Sequence, residues 1–271
     1  MNTRTAHRDV SLAFFAHLLA SAAVALATLA AGFAAQAIAA EPPGVMERAG
    51  QWMRGGEGAR LTVVLLDTTS SVAADDRAVY ERAFQSLLAA ARPGDRIVLA
   101  AVADRPASRF VPVADVRWPS AGNAMLNEAR ARKARAELGA TFGTVLAPPA
   151  TAAKGTYLID AVAASAEYLA QARKAGQAGH LVVLSDMIEE SPVANFAIAA
   201  VDAAQAGRIA AAQRRAATFP DLKGVRVHVV GASGRDARQM AGIRAFWRAY
   251  LADAGAEVLD YGRVAAAVAG R

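Results

Sequence analysis

The chain has 271 residues, 55% hydrophobic and 20% charged, which suffices for one sizeable core and is too little for two large domains. It has no cysteine, which excludes disulfides, thiolate zinc sites, a thiol nucleophile and a lipid-modified cysteine anchor. The formal net charge of +6 is spread along the chain, and the densest basic run, Arg130, Arg132, Lys133 and Arg135, has Glu128 and Glu137 beside it and no interleaved aromatics. That run reads as a solvated helix face and not as a nucleic-acid platform.

Arg4, His7 and Arg8 precede an apolar stretch over residues 10–40, which ends at Glu41-Pro42-Pro43-Gly44 just after Ala37-Ile38-Ala39. A positive start, an apolar centre and small residues at the end describe a secretory signal peptide. The alternative is an uncleaved membrane anchor, since the run exceeds the roughly 20 residues that span a bilayer. Either way, the residues after it are expected outside the cytoplasmic membrane, in the periplasm, secreted or tethered to the membrane. No second apolar stretch of that length follows, which argues against a transporter or channel. Residues 41–57 read as a Gly-rich linker with a short helix at 45–53, and 58–271 as the folded domain.

From there strands and helices alternate. Strands are expected at Arg60–Asp67, Arg96–Val102, 109–113, 180–186, 225–231 and 257–261. The third alternates and contains Pro112, which suits an edge. Helices are expected at 75–91, 122–138, 156–175, 195–217 and 236–254, with a turn at Arg92-Pro93-Gly94-Asp95 and a loop over 139–155. This pattern predicts an α/β fold: a three-layer, doubly wound, mostly parallel sheet with one short antiparallel edge strand.

The first strand is an apolar run that ends in Asp67, followed by hydroxyl residues, so that Asp67, Thr69 and Ser71 form D-x-T-x-S. Gly155-Thr156 opens a helix after a Gly/Pro loop, and Asp186 ends the strand Leu181–Ser185. In a parallel sheet these segments share the C-terminal edge, where ligands bind. The set offers two carboxylates and three hydroxyls, hard oxygen ligands suited to Mg²⁺ or Mn²⁺. Neutral hydroxyls cancel no charge, so such an ion still seeks an anionic oxygen from outside, as in a metal-bridged protein contact.

These residues resemble the von Willebrand factor type A domain and its metal-ion-dependent adhesion site. Asp67, Thr69 and Ser71 match that family's first element, with Thr replacing the first Ser; Thr156 matches its loop Thr, and Asp186 its later Asp. The resemblance covers about residues 58–262. It implies a Rossmann-like fold in which Thr69 and Ser71 bind a divalent cation directly. Asp67 and Asp186 would act largely through water, and Thr156 directly or through water. It implies a binding module and not an enzyme, with a protein partner supplying an acidic residue to the metal. Tyr157 and Met187 depart from the family, whose members often carry Asp and Gly there.

Plainer roles are open to the same residues. Asp67 and the hydroxyls can form an Asx-turn and N-cap, Thr156 can cap its helix, and Asp186 can open a loop. Glu189 and Glu190 are expected in a solvated loop. A phosphatase with Asp67 as nucleophile lacks its usual second acid, because Thr69 stands there. Gly231-Ala232-Ser233-Gly234 is an incomplete dinucleotide fingerprint, better read as a turn. No G-x-S-x-G elbow supports a serine hydrolase. The remaining alternative keeps the fold without metal, as a structural interaction module of an envelope assembly.

Overall fold

A computed structural model describes residues 58–69, 71–102, 110–120, 123–147, 155–198 and 201–262. The expected signal or anchor segment, the linker and the short helix at 45–53 lie outside them. In chain order the described elements are β1 (Arg60–Asp67), α1 (Ala74–Ala89), β2 (Arg96–Val102), β3 (Ala114–Arg117), α2 (Ala124–Leu146) and α3 (Leu158–Lys174). Next come β4 (Ala178–Leu184), α4 (Ala203–Gln213), β5 (Arg226–Val230), α5 (Ala237–Asp253) and β6 (Glu257–Gly262). The six strands form one sheet in the order β3-β2-β1-β4-β5-β6. Only the β2–β3 pair is antiparallel, so the expected α/β class and antiparallel edge strand are both present.

Every residue of β1 is buried, because both faces of the sheet are covered. Leu61, Val63 and Leu65 point into one core with α3, α4 and α5. Val64 and Leu66 point into the other with α1 and α2. Helix α1 docks through Val79, Tyr80, Ala83, Phe84, Leu87 and Leu88, the three-and-four spacing of an amphipathic helix. At the opposite end of β1, the buried Arg60 pairs with Asp95 at 2.5 Å, pinning the strand's start to the Arg92–Asp95 turn.

Three elements differ from expectation by more than two residues, each for a local reason. Helix α2 runs on to Leu146, because Ala134, Leu138, Phe142 and Leu146 continue one buried stripe across Gly139 and Gly143. Phe142 stacks on Phe84 with ring centroids 4.1 Å apart, which outweighs the helix cost of the glycines. The edge strand begins at Ala114, beyond the predicted 109–113: Pro112 has no N–H to give, and pairing starts with Val113 N–H to Leu99 O at 2.8 Å. Helix α4 starts at Ala203 and not at 195, because Asp202 and Gln205 form a reciprocal capping box.

The strand order places a topological switch between β1 and β4: the chain moves outward from β1 through β2 and β3, then restarts at β4 on the other side. The crevice at the carboxyl ends of β1 and β4 is therefore the expected ligand position. Among the described residues, no helix is long and apolar enough to cross a membrane.

Candidate metal centre

Asp67 is the last residue of β1, and Asp186 lies two residues beyond the end of β4, its register neighbour. Asp67 Oδ1 accepts from Thr69 N–H at 2.9 Å and from the Thr69 hydroxyl at 2.6 Å, an Asx-turn that folds the hydroxyl back onto the carboxylate. Helix α1 takes Ala73 as its N-cap, with no side-chain bond, so neither Asp67 nor the hydroxyls cap it.

Thr156 reaches this turn from a distant loop. Its N–H donates to Glu190 O at 3.3 Å, and Glu190 N–H returns the bond to Thr156 O at 2.9 Å. Gly155 makes the approach possible, since a Cβ there would lie 2.6 Å from Glu190 O. The Thr156 hydroxyl then donates to the Thr69 hydroxyl at 3.0 Å. Tyr157 is the N-cap of α3 and makes no side-chain cap bond, so Thr156 is not an ordinary helix cap.

The chain of hydroxyls continues from Thr69 to Ser71 at 3.1 Å, and Ser71 also hydrogen-bonds Asp186. Asp186 Oδ1 accepts from Ile188 N–H at 2.9 Å. The five residues singled out in the sequence thus meet on one edge of the sheet. Asp67, Thr69, Thr156 and Asp186 are buried and Ser71 is exposed, giving the cluster one open side.

Burial dominates the electrostatics. It pushes the Asp186 carboxyl up to about 7, and the neighbouring Asp67 charge adds to the rise. Burial raises Asp67 as well, against hydrogen bonds from Thr69 and Ser185 that favour its ionised form. Among the described residues, no Lys, Arg or His stands as a counter-charge to either acid. The buried Tyr80 hydroxyl, without a hydrogen-bond partner among the described residues, is also pushed up, by burial and then by Asp186, Asp67 and Asp76. Its ring packs under Gly231, whose φ of +99° and 2.3 Å from a would-be Cβ to Tyr80 Cε1 require glycine. Acidic charge without a counter-ion and converging hydroxyls fit a hard divalent cation. Among the described residues, no group of three or more His, Cys, Asp or Glu side chains is placed to hold a metal, so the donor set here depends on its hydroxyls.

Two contributors were not assigned from the sequence. The Ser185 hydroxyl donates to Asp67 Oδ2 at 2.7 Å, and its only sequence signal is its place directly before Asp186. Glu189 is wholly buried, contrary to the expected solvated loop. Its Oε2 accepts from Ile159 N–H at 2.9 Å, supplying the α3 N-terminus with the acceptor that Tyr157 lacks. Burial holds this carboxyl up at about 8. Glu190 is half-buried and contributes its backbone to Thr156.

Other features have local roles. Arg132 pairs with Glu128 at 2.9 Å and Lys133 with Glu137 at 3.7 Å along exposed turns of α2. Arg135 lies over the Trp118 ring at 5.4 Å. His228 is buried in β5, its Nδ1 3.1 Å from Asp260, and burial holds its ring down at about 3. Ser233 N–H in the glycine turn donates to Asp186 O at 3.0 Å.

No protein-family model and no curated protein matches the chain. Among solved structures it is similar to a point mutant of the PilB minor pilin from Streptococcus sanguinis, at 11% identity and a TM-score of 0.39. The similarity covers 76% of this chain and 57% of the pilin, so the chain spans a little over half that protein's length.

Proposed function

We propose that residues 58–262 form a von Willebrand factor type A-like domain that binds one divalent cation, Mg²⁺ or Mn²⁺, and through it a protein partner. In this reading the module acts outside the cytoplasmic membrane, periplasmic, secreted or tethered, and binds without turning over a substrate. The observation that carries it is the 3.0 Å contact between the Thr156 and Thr69 hydroxyls beside two buried, uncompensated carboxyls. Hydroxyls from separate loops converging on such acids suit a cation better than a set of helix caps.

Thr69, Ser71 and Thr156 would hold the ion by their hydroxyl oxygens, and Asp67 and Asp186 would balance its charge. When bound, the cation supplies the positive centre that an acidic oxygen of the partner seeks. The chain's own residues do the rest. Thr69 donates its hydroxyl proton to Asp67 and accepts from Thr156, leaving one lone pair for the ion. Exposed Ser71 marks the side from which a partner approaches. Burial of both acids keeps water from screening the charges that meet there.

The test is calorimetric titration of Mg²⁺ and Mn²⁺ into the chain and its Asp67→Ala variant. Saturable one-site binding, lost in a variant that stays folded by circular dichroism, is the expected result. Undiminished affinity in Asp67→Ala sinks the reading.

A further inference from the structure

The first strand and the loop after β4 are joined by one buried hydroxyl. Ser185 is held by its own N–H to Val230 O at 3.1 Å, which fixes it beside β5. Its hydroxyl has a single proton, and the neighbours dictate where it goes. An ionised Asp67 can only accept, and the bond to Oδ2 is 2.7 Å. The Met187 N–H can only donate, and it reaches the same hydroxyl oxygen at 2.9 Å. Both contacts are satisfied by one orientation.

That orientation constrains both acids. Asp67 Oδ1 already accepts two bonds from Thr69, so the Ser185 bond to Oδ2 fixes the carboxylate plane from its other end. One in-plane lone pair of Oδ2 is left for an outside group. On the other side, Met187 has a φ of +69°, a conformation a non-glycine residue rarely takes, directly after Asp186. The Ser185 hydroxyl holds its N–H and the Trp247 indole N–H holds its carbonyl at 2.9 Å. Asp186 therefore leaves its strand along a path set by Ser185.

We propose that Ser185 is a positioning residue of the metal site, aiming Asp67 directly and Asp186 through the backbone of Met187. This rests on the metal-site reading above. The test compares Mg²⁺ affinity by calorimetry, and thermal midpoints in EDTA and in Mg²⁺, for the full chain and for Ser185→Ala, Ser185→Cys and Ser185→Thr. The thiol fills the serine's volume but is a weak donor, in a chain with no other cysteine. Ala and Cys are expected to weaken Mg²⁺ binding about ten- to hundredfold, the usual cost of removing a partner of a metal's carboxylates. The rise in midpoint on adding Mg²⁺ should shrink with it, and Thr should restore both. If Ala does not fold, the Cys variant decides. A folded Ala or Cys variant with lower midpoint in EDTA but undiminished Mg²⁺ affinity shows a structural role only and overturns the proposal. Absence of Mg²⁺ binding by the unaltered chain overturns the metal reading itself, a distinguishable result.

Discussion

The Thr156 hydroxyl donates to the Thr69 hydroxyl across 87 positions of sequence, at 3.0 Å. Thr69 passes its own proton to Asp67, so the order of donation runs inward to the acid. Thr156→Val removes this donor at nearly constant volume. The expected outcome is Mg²⁺ affinity reduced at least about tenfold with the fold retained. Calorimetry beside circular dichroism checks this, and undiminished affinity removes Thr156 from the site.

The contribution of Asp186 to stability without metal should fall as pH rises from about 4 to about 7. Asp186 lies at about 7 in the folded chain against 3.8 for an ordinary carboxyl, so the folded state holds more protons than the unfolded one across that window. Folding is then progressively penalised as pH climbs, by an amount of order a few kcal/mol, and the penalty levels off above the folded value. Asp186→Asn removes that contribution and should make the slope shallower. Thermal melts of both chains in EDTA from pH 5 to pH 8.5 test the sign; a stability advantage of Asp186→Asn over the unaltered chain that shrinks as pH rises refutes it. Adding Mg²⁺ should flatten the slope in the unaltered chain and leave Asp186→Asn unmoved.

Glu189 adds a second contribution of the same sign, which the buried His180 and His228 oppose below about pH 6.5. Its carboxyl is raised from 4.5 to about 8, chiefly by burial, so it also weakens the fold as pH rises through those values. Glu189→Gln keeps an acceptor for Ile159 N–H without an ionisable group. It is expected to match the unaltered chain in urea unfolding at about pH 4 and to exceed it by a growing margin up to pH 9. Glu189→Ala leaves that N–H buried and bare and should be about 1–3 kcal/mol less stable than Glu189→Gln at either pH. A Gln variant weaker than the unaltered chain at pH 9 contradicts the assignment.

The strands were legible because burial on both faces writes them as unbroken apolar runs; β1 and β2 have the expected bounds. That Asp67, Thr69, Ser71, Thr156 and Asp186 would meet was legible because strand ends and helix starts in a parallel sheet share an edge. What stayed hidden depends on partners distant in sequence. Glu189 looks like any loop acid until Ile159 N–H is placed beside it. Gly139 and Gly143 look like helix ends until Phe84 is placed against Phe142. Ser185 is one hydroxyl directly after an apolar strand, and only the register of β1 against β4 brings it to Asp67.

The two halves of the cluster are held with unequal strength. Strand β1 is laddered on both sides, to β2 and to β4, and is buried along its whole length. Its amide protons should exchange with solvent only when the entire domain opens, so Asp67 rides on the most slowly exchanging part of the molecule. Thr156 is tied to Glu190 by two backbone bonds and to Thr69 by a hydroxyl. With fewer bonds to break, that side is expected to open before the sheet does. An ion entering or leaving would then need only the threonine arm to swing, with the aspartate arm as its fixed frame.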